Sequence, residues 1–154
     1  MEKKAAPASP SMTVSLAMEG ILRAAPEGSN ASIYDRGVYP DAYLDHFQHP
    51  RGQGRLDAPT HVGEASDPAC GDELMLDLRI EAETIQEARF RVRGCSGAIA
   101  VGSALVTLLP GRPARSDAVG RDELEQLLGG IPANKRHVLR LAERTLRVTL
   151  ASGP

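Results

Sequence analysis

The chain has 154 residues, with 18 lysines and arginines against 20 aspartates and glutamates, a formal net charge of −2 and 42% hydrophobic residues. That is enough chain for one domain with its own core, and the charge balance gives no electrostatic basis for nucleic acid or an anionic membrane as the main partner. No apolar run reaches bilayer-spanning length, and with aromatics at 3% and no tryptophan the core must be filled by aliphatic side chains.

Residues 1–11 carry Pro7 and Pro10 among small residues with no periodicity, and read as disordered. Residues 12–24 suit a short helix with Leu16, Ile21 and Leu22 toward one side, weakened by Gly20. Pro26-Glu27-Gly28-Ser29-Asn30 then breaks the chain. Val14–Leu22 is apolar only in patches and contains Glu19, a poor signal peptide, so a cytoplasmic protein is expected. Residues 1–35 thus read as a flexible N-terminal arm ahead of a domain over 36–151, with organised structure beginning near Val38.

In that domain Tyr39, Tyr43, Leu44 and Phe47 recur at helical spacing. Pro40 suits a first helical turn, and Pro50 stops the helix after His49. Arg51–Leu56 reads as a flexible turn opening a long stretch of little regular structure to Pro68, with room for a short strand in His61–Ser66. The first clear strand is Glu73–Ile80, with Leu74, Leu76, Leu78 and Ile80 facing one way and Glu73, Asp77 and Arg79 the other. Glu81-Ala82-Glu83 makes the turn. The second strand covers roughly Thr84–Val92, with Ala88, Phe90 and Val92 alternating against Glu87, Arg89 and Arg91. A solvated face implies a sheet covered on one side only.

Ser96–Leu109 is small and apolar, the pattern of a buried helix ended by Pro110-Gly111. After a linker over 111–120, Asp122–Leu128 is a short helix stopped by Gly129-Gly130. Pro132 opens a last helix to about Leu150, with Val138, Leu141, Ala142 and Leu146 as an apolar stripe. Arg136, Arg140, Arg144 and Arg147 form its basic flank, a solvated surface or a meeting place for an acidic partner. This order predicts an α+β fold, a small antiparallel three-stranded sheet with helices packed on one face.

The two cysteines of the chain, twenty-five positions apart, flank the predicted hairpin. Cys70 lies before its first strand in Cys70-Gly71-Asp72, and Cys95 after its second in Gly94-Cys95-Ser96-Gly97. The outer ends of an antiparallel pair finish side by side, so both thiols are expected at one corner. Two cysteines are too few for a disulfide scaffold and are read as free thiols. Cys95 also precedes a helix N-terminus, whose unpaired N–H groups favour a thiolate. Two thiolates and the Asp72 carboxylate suit Zn²⁺ or iron. A fourth ligand is needed, with His137 the first candidate and His46, His49 and His61 the alternatives. His46 and His49 otherwise read as favourable cations at a helix C-terminus or as surface residues. Gly52 and Gly54 are no phosphate loop, no hydrolase triad is visible and Cys-x-x-Cys is absent, so an enzyme is not expected.

Tyr43-Leu44-Asp45-His46-Phe47-Gln48-His49-Pro50-Arg51 with Gly54 resembles the opening motif of the IscU/SufU/NifU-type iron–sulfur cluster assembly scaffolds. Pro68-Ala69-Cys70-Gly71-Asp72 is similar to their first cysteine motif. Glu87-Ala88-Arg89-Phe90, Gly94-Cys95, Ala98-Ile99-Ala100, Ser103 and Leu105-Val106-Thr107 are similar to the second, and Leu141-Ala142-Glu143 to the last helix. The resemblance covers roughly residues 38–150. It implies a small antiparallel sheet with helices against it and a protein that takes sulfur from a cysteine desulfurase and iron from a donor. A cluster is assembled on three cysteines aided by an aspartate and passed to iron–sulfur recipient proteins, while some SufU-like members bind zinc and relay sulfur.

Carried over, Cys70 and Cys95 are the first two thiolates and Asp72 the modulating carboxylate. The third cysteine, the family's usual sulfur acceptor, is missing. Aligning on Leu141-Ala142-Glu143 puts Lys135 and His137 on the family's lysine and histidine and Val138 on the missing cysteine; counting forward from Pro132 puts His137 on the cysteine itself. Both leave Cys70, Asp72, Cys95 and His137 as the implied ligands of a [2Fe–2S] cluster or Zn²⁺. Pro132-Ala133-Asn134-Lys135 departs from the family's chaperone-recognition segment. The function implied is a cluster scaffold or carrier, the alternative a zinc-binding or metal-free interaction protein without assembly activity.

Overall fold

The computed structural model describes residues 39–153. The arm over 1–35, the short helix expected in 12–24 and the onset of order near Val38 lie outside the described residues. Helix α1 (Asp41–Gln48) follows Pro40, with Asp41 in its first turn favouring the N-terminal dipole end. Strands β1 (His61–Ser66), β2 (Glu73–Glu81) and β3 (Thr84–Arg93) form one antiparallel sheet in the order β1-β2-β3. Helices α2 (Ser96–Leu108), α3 (Arg121–Leu127) and α4 (His137–Ala151) follow, with a 3₁₀ turn over Ala133–Lys135 ahead of α4.

The leucine alternation of β2 places Leu74, Leu76 and Leu78 in the core, where α4 lies over β1 and β2 and α2 over β3. Phe90 of β3 is fully buried and takes the space over Gly102 of α2, where a Cβ would strike its ring. Val138, Leu141, Ala142 and Leu146 form the buried stripe of α4. The buried hydroxyls of Thr145 and Thr149 are satisfied by the carbonyls one turn back, at 2.7 Å each. Glu81 pairs with Thr84, so the hairpin turn is the dipeptide Ala82-Glu83, both at positive φ (51° and 60°). A register irregularity between Arg79 and Ile80 ends the clean alternation, so Ile80 is only half-buried and Ile85 takes a full core position.

Two expectations are corrected. Arg51–Leu56 is not a flexible turn but is laced to the sheet. Gly54 N–H donates to the Phe90 carbonyl (2.8 Å) and Phe90 N–H to the Gly52 carbonyl (2.9 Å), covering part of the β3 edge. Asp77 is not solvated. It is 3% exposed and accepts from Leu56 N–H (3.1 Å) and from the Arg91 guanidinium (3.3 Å), because the 52–56 segment crosses the face left uncovered by helices. The 111–120 segment is also tied down: Arg112 holds Glu123 through two bonds (3.0 and 2.8 Å) and donates to the Ala118 carbonyl (2.7 Å).

The last helix differs in its start. Pro132 opens only the 3₁₀ turn, and α4 proper begins at His137. Among the described residues no helix is long and apolar enough to cross a membrane.

Candidate metal centre

The last rung of the β2–β3 ladder is Glu73 against Arg93. Asp72 and Gly94 lie just beyond it, and the chain must turn away on both sides. On the Asp72 side Asp67 N–H donates to the Asp72 carbonyl (2.8 Å) and Gly71 N–H to the Asp67 carbonyl (2.7 Å). This tight turn needs the positive φ of Gly71 (78°) and carries Cys70 exposed beyond the strand end. On the other side Cys95 is the N-cap residue of α2, and its carbonyl accepts from Ala98 and Ile99. The position of α2 is braced by α1 at two points. Tyr43 Oη lies 3.0 Å from Ser96 Oγ, and His46 Nδ1 lies 2.7 Å from Ser103 Oγ.

Asp72, 4% exposed, is the hub. Its Oδ1 accepts from Cys95 N–H (3.1 Å), while Oδ2 accepts from the Cys95 thiol (3.3 Å) and lies 3.3 Å from His137 Nε2. The carboxylate occupies the space where a side chain at Gly94 would begin: a Cβ there would sit 2.8 Å from Asp72 Cγ. Burial pulls the Asp72 carboxyl up, but hydrogen bonds with Cys70, Cys95 and His137 outweigh it and hold the acid below its ordinary value. The Cys70 thiol is pushed up, first by desolvation and then by the Asp72 and Asp67 carboxylates, against one backbone N–H that favours the thiolate. A cation at this corner would reverse that carboxylate effect.

The four residues expected at the site fall into two triads that share His137. Ligand atoms of Asp72, Cys95 and His137 lie within 4.8 Å of one another, and so do those of Asp67, Cys70 and His137. Each sulfur is therefore near a ring nitrogen of His137. Metal–ligand bonds of about 2.0–2.3 Å in a tetrahedron correspond to edges of roughly 3.3–3.8 Å. The two 3.3 Å separations around Asp72 Oδ2 are close to such edges, and thiol, carboxylate and imidazole are donor types that zinc and iron accept.

The alternative histidines are elsewhere. His46 is 6% exposed and bonded to Ser103, so the expectation of a C-terminal cation or surface residue is corrected for it. Burial, then the Arg51 charge, holds its pKa below the ordinary value, against a smaller opposite pull from Asp45. Ser103 Oγ already accepts from Arg51 N–H (2.8 Å), so its own proton is free to reach a neutral His46 Nδ1. His49 is exposed beside Asp45 (3.5 Å), and His61 contacts Thr60 (2.8 Å). Val138, the other candidate for the lost cysteine's position, is buried in the core.

Asp67 is the residue that sequence reasoning missed. Its signal is the turn itself, Asp67-Pro68-Ala69-Cys70-Gly71, in which an aspartate caps the chain two residues on (Ala69 N–H to Oδ1, 2.9 Å). A cleft of about 720 Å³, lined in part by Arg121, Glu125, Arg136, His137 and Arg140, opens beside the corner.

Residues 38–152 match the family model described as the NifU-like N terminal domain. The chain is 36% identical over 116 residues to an iron–sulfur cluster assembly scaffold protein IscU of Aquifex aeolicus, covering 73% of each chain. It is 43% identical over 110 residues to a nitrogen fixation protein NifU of Cereibacter sphaeroides, covering 71% of this chain and 45% of that one. In shape it is similar to the crystal structure of a candidate iron–sulfur cluster assembly scaffold protein for the SUF system from Fervidobacterium islandicum. The TM-score is 0.59 at 15% identity, over 75% of this chain and 98% of that one, a likeness of fold.

Proposed function

We propose, because this chain belongs to the family of NifU-like N-terminal domains, that it is a scaffold or carrier which holds an iron–sulfur cluster as cargo on Cys70, Asp72, Cys95 and His137. The observation that carries this reading is the convergence of two thiols, a buried carboxylate and an imidazole at the open end of one hairpin. Thiolates are the ordinary ligands of such clusters, and imidazole replaces some of them in known centres. The cargo is a [2Fe–2S] cluster, which takes four protein donors. With only two of them thiolates, it is held less tightly than on a full set of cysteines and is easier to give up.

The working unit is the domain over 36–151, acting in the cytoplasm. Its partners are a cysteine desulfurase that supplies sulfur and recipient proteins that take the cluster. The cleft beside His137, with arginines and glutamates on its walls, offers a polar approach to the corner. The chain's role is to hold and hand over, with no substrate bond made or broken by its own side chains.

A second reading, a zinc protein of the sulfur-transfer machinery without assembly activity, is favoured by the count of two cysteines beside a carboxylate and an imidazole, a mixed set that zinc accepts. Anaerobic purification followed by assays of iron, zinc and acid-labile sulfide separates the two. Iron and sulfide in equal amounts, with a cluster chromophore lost in Cys70→Ser and His137→Ala, is the result expected. Zinc alone, lost in both variants, would replace the scaffold by the zinc protein. Neither metal in the wild-type chain would defeat both.

A further inference from the structure

We infer that Asp67 is a further ligand of this centre, on the side of Cys70. This rests on the reading of the corner as a metal or cluster site. Asp67 stands three residues before Cys70, yet the tight turn folds it back so that its carboxylate, the Cys70 sulfur and a ring nitrogen of His137 lie within 4.8 Å of one another.

Its backbone is fixed from both sides, since its N–H donates to the Asp72 carbonyl (2.8 Å) and its carbonyl accepts from Gly71 (2.7 Å). The side chain is half-buried. Oδ1 accepts from Ala69 N–H (2.9 Å), and among the described residues Oδ2 has no hydrogen bond and no ion-pair partner. A half-buried carboxylate with one free oxygen, set against a thiol and an imidazole, is an arrangement that a cation relieves. Carboxylate and thiolate repel each other until a positive ion stands between them.

The donors of the corner divide into two pairs that share His137: Asp72 with Cys95, and Asp67 with Cys70. A two-iron cluster asks for two protein donors at each iron; Asp72 with Cys95 can serve one, and Cys70 with Asp67 or with the shared His137 the other. Without Asp67 the Cys70 side depends on the imidazole that Asp72 and Cys95 also approach. For one zinc ion the same division supplies the sulfurs, the imidazole and a choice of carboxylates.

The test uses the full chain and its Asp67→Asn, Asp67→Ala and Asp67→Cys variants, with Glu64→Gln on exposed β1 as control. Zn²⁺ affinity is measured by competition with a chromophoric chelator, and Co²⁺ is used as a spectroscopic stand-in. Asp67→Asn retains the acceptor for Ala69 N–H, so it separates loss of a ligand from loss of the turn. Urea melts of the metal-free proteins check the fold. We expect Asp67→Asn and Asp67→Ala to weaken Zn²⁺ binding about 10-fold or more and to alter the Co²⁺ ligand-field bands. Asp67→Cys should bind more tightly and gain sulfur-to-cobalt charge-transfer intensity. Clusters reconstituted from ferrous iron and sulfide should decay faster in Asp67→Asn than in wild type.

If the wild-type chain binds and Cys70→Ser disturbs binding, while Asp67→Asn matches wild type in affinity and spectrum, Asp67 is no ligand and the scaffold reading survives. If wild type takes up no metal and no cluster, both fall together.

Discussion

Replacing Gly94 by alanine adds one methyl group at the most crowded point of the corner. Its carbon would lie 2.8 Å from Asp72 Cγ and 3.0 Å from Asp72 Cβ, and closer still to Oδ1. The whole Asp72 side chain has to move, and it has nowhere cheap to go: it is 4% exposed and bonded to Cys95 and His137. Overpacking typically destabilises by about 1–3 kcal/mol, and hydrogen bonds to a charged group contribute about 1.5–3 kcal/mol. Partial relaxation trades one against the other, so a loss of about 2–4 kcal/mol is expected. With a urea slope of about 1–3 kcal/mol/M, a loss in the middle of that range moves the unfolding midpoint by roughly 1 M or more, readable by circular dichroism. Zinc affinity should fall with it.

A double-mutant cycle isolates the cause. On an Asp72→Ala background the methyl group still meets the Cβ at 3.0 Å but no carboxylate, so Gly94→Ala should cost less than in wild type by about 1 kcal/mol or more. An equal cost on both backgrounds would show that the glycine serves its own backbone rather than the room for Asp72, and the reasoning would be refuted.

Three further outcomes are expected. Ser103→Ala leaves Arg51 N–H and His46 without their shared partner, and should destabilise by about 1–3 kcal/mol in urea melts. The imidazole of His46 is held below its ordinary value when folded, so the unfolded chain takes up its proton first as pH falls. Its contribution is whole above a pH of about 6.5 and declines as pH drops toward the folded value; melts at pH 7.5 and 5.5 should show a loss in wild type that His46→Asn lacks. At the hairpin tip, Ala82→Asn with Glu83→Gly puts tolerant residues at two positive-φ positions and should stabilise by about 1–2 kcal/mol in the same assay.

Local pattern accounts for much of the fold. The period-two leucines of β2, the strand at His61–Ser66 and the small-residue helix after Cys95 all stand where the sequence puts them. Convergence of Cys70, Asp72 and Cys95 follows from hairpin geometry alone. What escapes a reading of the sequence depends on contacts distant along the chain. His46 looks like a helix-end cation until α2 brings Ser103 against it, fifty-seven residues later. Asp77 obeys the alternation that predicts solvent, yet the 52–56 segment roofs it over. Asp67 precedes the recognisable cysteine motif, and only the turn closed by Asp72 shows that its carboxylate returns to the site. His137 is legible as a candidate, but not the 3₁₀ turn that makes it the first residue of α4.

The single irregularity of the β2–β3 ladder, between Arg79 and Ile80, also governs how the gene for such a chain can change length. From that point to the cysteines every residue of one strand faces a fixed residue of the other. One codon gained or lost there would reverse the parity of the strand, turning leucines to solvent and carrying Cys95 away from Asp72. On the tip side the same event is absorbed as another bulge. Insertions and deletions between the two cysteines should therefore be tolerated near residues 80–85 and nowhere else along the hairpin, so that the sequence interval between the cysteines can change without disturbing the corner.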